Sequence, residues 1–329
     1  MRTDYYLLSS GSINRDENTL YFENETDRRA IPVEKIKCIY AYGQLNFSSQ
    51  AALYLCKEGI PVHFFGYYGN YVGTLYPKES LISGEVIIHQ VRHYIESDKR
   101  LLLAQKFVIG AAKNILRNLE YYSKEHPSLS KSIDEINAQL DNLQDKKTVA
   151  ESMNIEGKIR EIYYHALDEF LPEGYKIEKR TRRPPENRMN AMISFGNSLI
   201  YASTITEIYN TQLNPTISYL HEPFARRFSL ALDISEIFKP IIVDRIIFKL
   251  VNKKMLDDTH FDGRLGDMLL SEKGKRLFIK EYNDKLETTI NHKGLEKNVS
   301  YKRLIRLELY KLIKHVLGEQ TYSPLVLWW

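Results

Sequence analysis

Four residues from three separate segments, Glu156, His221, Asp233 and Glu236, carry side chains of the kinds that coordinate a divalent cation. The last two pose the sharpest physical problem. They lie in Ser229-Leu-Ala-Leu-Asp-Ile-Ser-Glu-Ile-Phe-Lys-Pro-Ile-Ile-Val-Asp-Arg-Ile-Ile-Phe248, which is apolar nearly all the way round a helix and therefore reads as buried. Three positions apart, the two carboxylates fall on one helical face. Burying two like charges without a partner is costly. A divalent cation would resolve that cost, and so would Arg226, Arg227 or Arg245. Glu156 sits at the edge of an apolar stripe formed by Ile155, Ile159, Ile162, Ala166 and Phe170, with Gly157 immediately after it. Glycine inside a helix costs ~1 kcal/mol relative to alanine, which close approach by another backbone or a ligand would offset. An ordinary half-exposed glutamate beside a tolerated glycine is the plainer alternative. His221 falls in a loop bracketed by Pro215 and Pro223, where a histidine is either a hydrogen-bonded structural residue or a ligand. A glutamate, a histidine and a carboxylate pair give mixed oxygen and imidazole donors, which suit Mn²⁺ or Mg²⁺ better than structural zinc. An ion held this way can polarise a phosphodiester, activate a hydroxyl and orient a leaving group.

Basic residues are placed to extend that chemistry. Lys176, Lys179, Arg180, Arg182 and Arg183 crowd together just before Pro184-Pro185, between two of the candidate ligand segments. Such a loop is a phosphate clamp or a solvated surface. Arg160, Tyr163 and Tyr164, a turn or two beyond Glu156, could reach the same substrate. A second acidic group, Asp257, Asp258, His260, Asp262 and Asp267, is rich in ligand types but matches no rigid metal spacing and reads as a solvated turn.

These side chains need positioning elements, and the chain changes texture where the elements change. Residues 1–90 hold 8 Lys and Arg against 10 Asp and Glu, leaving 38 against 32 for the remainder, and 7 of the 16 glycines are in that first part. Short apolar runs punctuated by turn residues predict strands at Tyr5–Ser9, Thr19–Glu23, Arg29–Pro32, Ile36–Tyr42, Pro61–Phe65 and Tyr71–Leu75, with one helix at Ser48–Glu58. From Glu85 the period becomes helical. Ser83 and Asp98 are candidate caps, Leu101, Val108, Ile115, Leu119 and Tyr122 follow one long helix, and Thr148-Val-Ala-Glu151 is a capping box. Helices are further predicted over Arg188–Asn210, Arg226–Asn252, Ser271–Asp284 and Val299–Leu317. The expectation is an α+β chain, a small β-rich N-terminal domain at 1–85 and a larger all-α C-terminal domain at 86–329. With 43% apolar and 27% charged residues over 329 positions, a sizeable core can be buried. Two cysteines, Cys38 and Cys56, exclude a disulfide framework or a zinc ribbon and fit reduced thiols in the cytoplasm. The sequence shows neither a signal peptide nor a membrane span.

The segments Pro184-Pro-Glu-Asn-Arg-Met-Asn190-Ala-Met-Ile-Ser-Phe-Gly-Asn197-Ser-Leu-Ile-Tyr201, Leu220-His221-Glu-Pro223 and Ser229-Leu-Ala-Leu-Asp233-Ile-Ser-Glu236-Ile-Phe-Lys-Pro240 resemble the CRISPR-associated integrase family of spacer acquisition, in its class 1 helicase-nuclease variant. The likeness extends over essentially the whole chain, in the family's motif order, and includes Ile155-Glu156-Gly157. It implies a homodimer with an N-terminal β domain and a helical domain holding the metal site. By position it implies Glu156, His221 and Glu236 as metal ligands and catalytic residues, with Glu236 where many members have Asp. Asp233 matches a second family acid, either a ligand or the partner of His221. Asn190 and Asn197 match positions that are structural or close to substrate.

The function so implied is a metal-dependent DNA endonuclease and integrase using Mg²⁺ or Mn²⁺. It would attack a CRISPR repeat with the 3′-hydroxyl of a short incoming duplex, with Arg160, Tyr164, Lys179, Arg180, Arg182 and Arg183 on the nucleic acid. The expected partners are double-stranded DNA, a second copy of the chain, the family's small ferredoxin-like adaptation protein in a heterohexamer, and an end-trimming nuclease. Two rivals are a stand-alone structure-specific repair nuclease and a non-catalytic nucleic-acid scaffold in which arginines merely pair with Asp233 and Glu236. A net charge of +4 decides among none of these.

Overall fold

The computed structural model describes residues 2–223, 228–264, 266–292 and 294–327, and the chain divides into two units, Met1–Ser80 and Leu81–Trp329. In the first unit, turn chemistry cuts the chain into β1 (Thr3–Leu7), β2 (Gly11–Asp16), β3 (Thr19–Glu23), β4 (Arg28–Ile31), β5 (Ile36–Ala41), β6 (Leu45–Phe47), β7 (Val62–Phe65) and β8 (Tyr71–Leu75), with helix α1 (Ser49–Lys57) ahead of β7. One sheet has the order β1-β5-β7-β8 and the other β4-β3-β2-β6. Parallel pairs β1/β5, β5/β7 and β2/β6 mix with antiparallel hairpins β2/β3, β3/β4 and β7/β8. Leu7, Ile13, Leu20, Phe22, Ile39, Leu55 and Val62, from both sheets and from α1, close a single core. Strands β2 and β6 were not expected, because each segment offers too little apolar alternation to register: β2 buries only Ile13. Gly11 opens β2 because a Cβ there would stand 2.6 Å from the Glu23 carbonyl oxygen and 2.7 Å from the Phe22 ring.

The second unit is mainly helical. In chain order it contains α2 (Gly84–Ile95), α3 (Ser97–Tyr122), α4 (Leu129–Leu143), α5 (Val149–Leu167), α6 (Arg188–Tyr209), α7 (Ser229–Phe238), α8 (Arg245–Asn252), β9 (Phe261–Arg264), β10 (Asp267–Leu270), α9 (Glu272–Glu287), β11 (Thr289–His292), β12 (Lys297–Ser300) and α10 (Tyr301–Val316). The antiparallel pairs β9/β10 and β11/β12 correct the expectation that this part is helical throughout. Both pair four-residue strands, too short for periodicity to reveal. Ser83 caps α2 by accepting from the Val86 amide. Asp98 does not cap α3; it lies in the first turn, with Glu96 at the cap position, where its charge still complements the helix dipole. The Thr148/Glu151 capping box forms as expected and fixes the start of α5. Among the described residues no helix is long and apolar enough to cross a membrane.

The apolar run 229–252 is not one continuous helix. It is α7, a π-helical turn over Lys239–Asp244, and α8. Pro240 has no N–H to give to the i−4 carbonyl, so the helix widens there. The carbonyls released by the wide turn find partners on α3: Asn114 Nδ2 donates to Ile237 O at 3.0 Å and Asn118 Nδ2 to Pro240 O at 2.8 Å. Both asparagines are buried, and they clamp the C-terminal end of α7 one residue beyond Glu236.

Candidate metal and nucleic-acid site

Glu156 on α5 and Glu236 on α7 are brought together by a residue that lies four positions after the first of them. The Arg160 guanidinium contacts Glu156 Oε1 through Nε and Glu236 Oε2 through its NH2 group. Lys239 Nζ closes the other side, 2.5 Å from Glu236 Oε1. Glu236 is 6% exposed at its side chain and Glu156 19%, so the carboxylate pair is screened from bulk water. Its Oε2 is ion-paired with Arg160 but makes no hydrogen bond. Burial pushes the Glu156 carboxyl up, yet the Arg160 charge and hydrogen bond, with further help from Lys239 and His221, outweigh it and hold the group below the ordinary carboxylate range. The cations answering the buried acids are thus Arg160 and Lys239. Arg245 instead donates to Asn118 Oδ1 at 3.0 Å, and Arg226 and Arg227 lie outside the described residues.

Asp233 and Glu236 share a helical face, but their carboxylates serve different partners. Asp233 is fully buried. Its Oδ2 accepts from the Tyr219 and Leu220 amides at 2.7 and 3.0 Å, and its Oδ1 accepts from the His221 amide at 3.0 Å and faces His221 Nδ1 at 2.8 Å. Backbone dipoles therefore satisfy this carboxylate in place of a cation. The same contacts pin the loop before α7. With Nδ1 facing the Asp233 carboxylate, the other ring nitrogen, Nε2, is the one left for another partner.

Behind the site lies a fourth acid that sequence reasoning passed over. Asp244, at the end of the π turn, accepts from the Tyr163 hydroxyl at 3.0 Å. Burial pushes its carboxyl up to about 6, against the opposing pull of Tyr163, Arg160, Lys239 and Arg180. The sequence signal was available: an acid inside the same apolar run as Asp233 and Glu236.

Alongside α5 opens a cavity of about 350 Å³ whose lining includes Arg160, Tyr164, Lys179, Arg180 and Arg182. Asn190, on α6, shapes this wall: its Nδ2 donates to Lys179 O at 2.8 Å and its Oδ1 accepts from Arg180 at 3.0 Å. Asn190 therefore acts on the basic loop, while Asn197 is half-buried further along α6. Arg183 is exposed and absent from the lining, and Lys176 pairs with Glu173 at 2.5 Å, so the basic run contributes only part of itself. Gly157 also lines the cavity, and a Cβ on it would meet nothing within 4 Å. No backbone approaches it; the space beside it is open. The acidic group at 257–267 forms a turn, in which Asp257 caps a short 3₁₀ segment by accepting from the Thr259 amide at 2.9 Å, while its own amide donates to His260 Nδ1 at 3.1 Å. Among the described residues no three acidic, imidazole or thiol groups stand at metal-holding spacing.

The donor chemistry nevertheless fits a divalent ion. Two carboxylates meet at one place, and two monovalent cations, Arg160 and Lys239, carry there the charge that one divalent ion would. The family described as CRISPR associated protein Cas1 matches residues 5–284. This chain belongs to the Cas1 family. It is 56% identical over 328 residues to CRISPR-associated protein Cas1 1 of Methanobrevibacter ruminantium, covering 100% of this chain and 99% of that protein. Its identity to the CRISPR-associated endonuclease Cas1 of Methanothermobacter thermautotrophicus is 54% over 328 residues, 100% of this chain and 96% of that one. A solved Cas1 protein from Thermotoga maritima superposes with a TM-score of 0.88 at 40% identity, over 98% of this chain and 100% of that one. The β-rich start followed by a helical part is thus the Cas1 architecture.

Proposed function

We propose that this Cas1-family chain is a metal-dependent DNA endonuclease and integrase that inserts short foreign duplexes into a CRISPR array. The observation that carries the reading is Arg160 joining Glu156 to Glu236 while lining a cavity with Tyr164, Lys179, Arg180 and Arg182. Glu156, His221 and Glu236 would hold a Mg²⁺ or Mn²⁺ ion. When bound, such an ion supplies Lewis-acid polarisation of a phosphodiester and lowers the cost of an attacking oxyanion.

The protein's own groups do the rest. Asp233 fixes the orientation and tautomer of His221 and keeps its free nitrogen directed by a buried, four-fold hydrogen-bonded carboxylate. The basic cavity wall binds backbone phosphates, an attraction that weakens steeply with salt. Held there, the 3′-hydroxyl of the incoming strand and the repeat phosphodiester react as a near-unimolecular pair. One P–O bond forms as another breaks, so strand joining needs no external energy source. Water in place of the hydroxyl gives nicking.

Double-stranded DNA is the inferred substrate. A homodimer through the β-rich unit, the small ferredoxin-like adaptation protein in a heterohexamer, an end-trimming nuclease and a cytoplasmic setting complete the proposal, and membership of the family supports them. The test is strand joining of a protospacer-like duplex to a repeat-bearing plasmid with Mn²⁺ and the partner protein. Glu156→Ala and His221→Ala should each abolish product; joining at the wild-type rate by either would overturn the assignment. The pairing of both carboxylates with Arg160 and Lys239 favours one second reading, a scaffold needing no metal. Calorimetry separates the two, since a scaffold shows no stoichiometric Mn²⁺ binding that depends on His221.

A further inference from the structure

We propose that Arg160 is a built-in stand-in for the cation: without metal its guanidinium holds Glu156 and Glu236, and metal entry transfers it to a substrate phosphate in the adjoining cavity. This deepens the function proposed above and rests on it.

The contacts state the first half. One planar guanidinium reaches both carboxylates from a helix position one turn after Glu156, a geometry that suits its forked donors. With Lys239 on the opposite oxygen of Glu236, the two acids are already charge-balanced. A divalent ion on the same two carboxylates would meet Coulomb repulsion from both cations in a largely buried site. Release of one of them relieves it.

Arg160 is the one with somewhere to go. It lines the cavity together with Tyr164, Lys179, Arg180 and Arg182, whereas Lys239 is absent from that lining. A change of side-chain rotamer would swing the guanidinium from the carboxylates to the cavity without moving the helix. Most protein carboxylates of the cavity lining are already engaged. Glu161 is paired with Lys158 at 2.8 Å, Asp168 accepts from the Ile177 and Glu178 amides at 2.6 and 3.2 Å, and the remaining acid of the lining, Glu178, is exposed. The missing anion is a phosphate of the bound strand. Occupancy of the metal site and of the DNA cavity are therefore linked: metal frees the arginine that DNA needs, and DNA draws away the arginine that blocks metal. Reciprocity requires equal factors in both directions.

The test is Mn²⁺ affinity of the DNA-free full chain, read from the electron paramagnetic resonance signal of unbound Mn²⁺ at fixed ionic strength. Arg160→Gln should bind Mn²⁺ about tenfold or more tightly than wild type, within the range usual for coupled sites. Arg160→Lys, which keeps the charge but not the fork, should fall between them. In wild type a short duplex should tighten Mn²⁺ binding by a comparable factor, and Arg160→Gln should lose that coupling. Unchanged or weaker Mn²⁺ binding by Arg160→Gln, with binding that Glu156→Gln still abolishes, overturns the role of Arg160 and leaves the metal site standing. No Mn²⁺ binding by wild type or by either Arg160 variant overturns both. If Arg160→Gln fails to fold, by its thermal melt, the wild-type comparison with and without duplex decides, and absence of coupling there overturns the inference.

Discussion

Asp244→Asn should make this protein less sensitive to alkaline pH, and the structure sets the size of the effect. Asp244 is buried beside the site, and burial raises its carboxyl from 3.8 to about 6 despite the Tyr163 hydroxyl and the nearby Arg160, Lys239 and Arg180. A folded-state value above the unfolded one means that the native protein binds this proton more tightly. The resulting stability is fully present below the unfolded value and is lost as pH rises through about 6. At 1.36 kcal/mol per unit, the whole window is worth about 3 kcal/mol, of which about 1.4 kcal/mol falls between pH 5 and pH 8. Asparagine keeps an acceptor for the Tyr163 hydroxyl and cannot ionise. Urea unfolding of wild type and variant at several pH values gives the stability difference by linear extrapolation. That difference should move in favour of Asp244→Asn by about 1.4 kcal/mol from pH 5 to pH 8. A flat difference, or one moving the other way, would show that the three cations keep Asp244 ionised and that burial does not control it.

Three further outcomes are expected. Asp233→Asn puts an amide donor among the N–H groups of Tyr219, Leu220 and His221, so it should cost about 2–4 kcal/mol in urea unfolding. Strand joining should also fall by about 10–100-fold as His221 loses its orienting partner, and full activity would show that His221 needs no such support. Gly157→Ala places a methyl in open space and should stabilise the chain by about 0.5–1 kcal/mol through helix propensity; a measured loss would mean that the space is filled. Asn114→Ala leaves Ile237 O, Leu325 O and the Leu327 amide without their partner. It should cost about 3 kcal/mol and speed carboxypeptidase trimming of the C-terminal segment, and an unchanged trimming rate would locate the anchor elsewhere.

Much of this arrangement was legible in one dimension. The switch from turn-rich alternation to a helical period marks where a β-rich part gives way to helices, and β3 and β8 lie where alternation puts them, at Thr19–Glu23 and Tyr71–Leu75. The Thr148/Glu151 box could be read because all its atoms come from four consecutive residues. Glu156, His221 and Glu236 could be nominated because acids and imidazole in apolar or proline-bracketed settings need a reason, and the order of the motifs supplied one. The short hairpins β9/β10 and β11/β12 escaped, since four residues carry no usable period.

By itself the sequence determined that buried carboxylates exist in the Ser229–Phe248 run and must be compensated, because burial and charge follow from residue type and helical period. Only tertiary structure decided what compensates them. Asp233 turned to the amides of Tyr219, Leu220 and His221, Glu236 to Arg160 and Lys239, and the carbonyls freed at Pro240 to Asn114 and Asn118. The helical repeat says which face a side chain occupies. Which partner stands opposite depends on how helices distant in sequence pack against that face, and no local pattern encodes that.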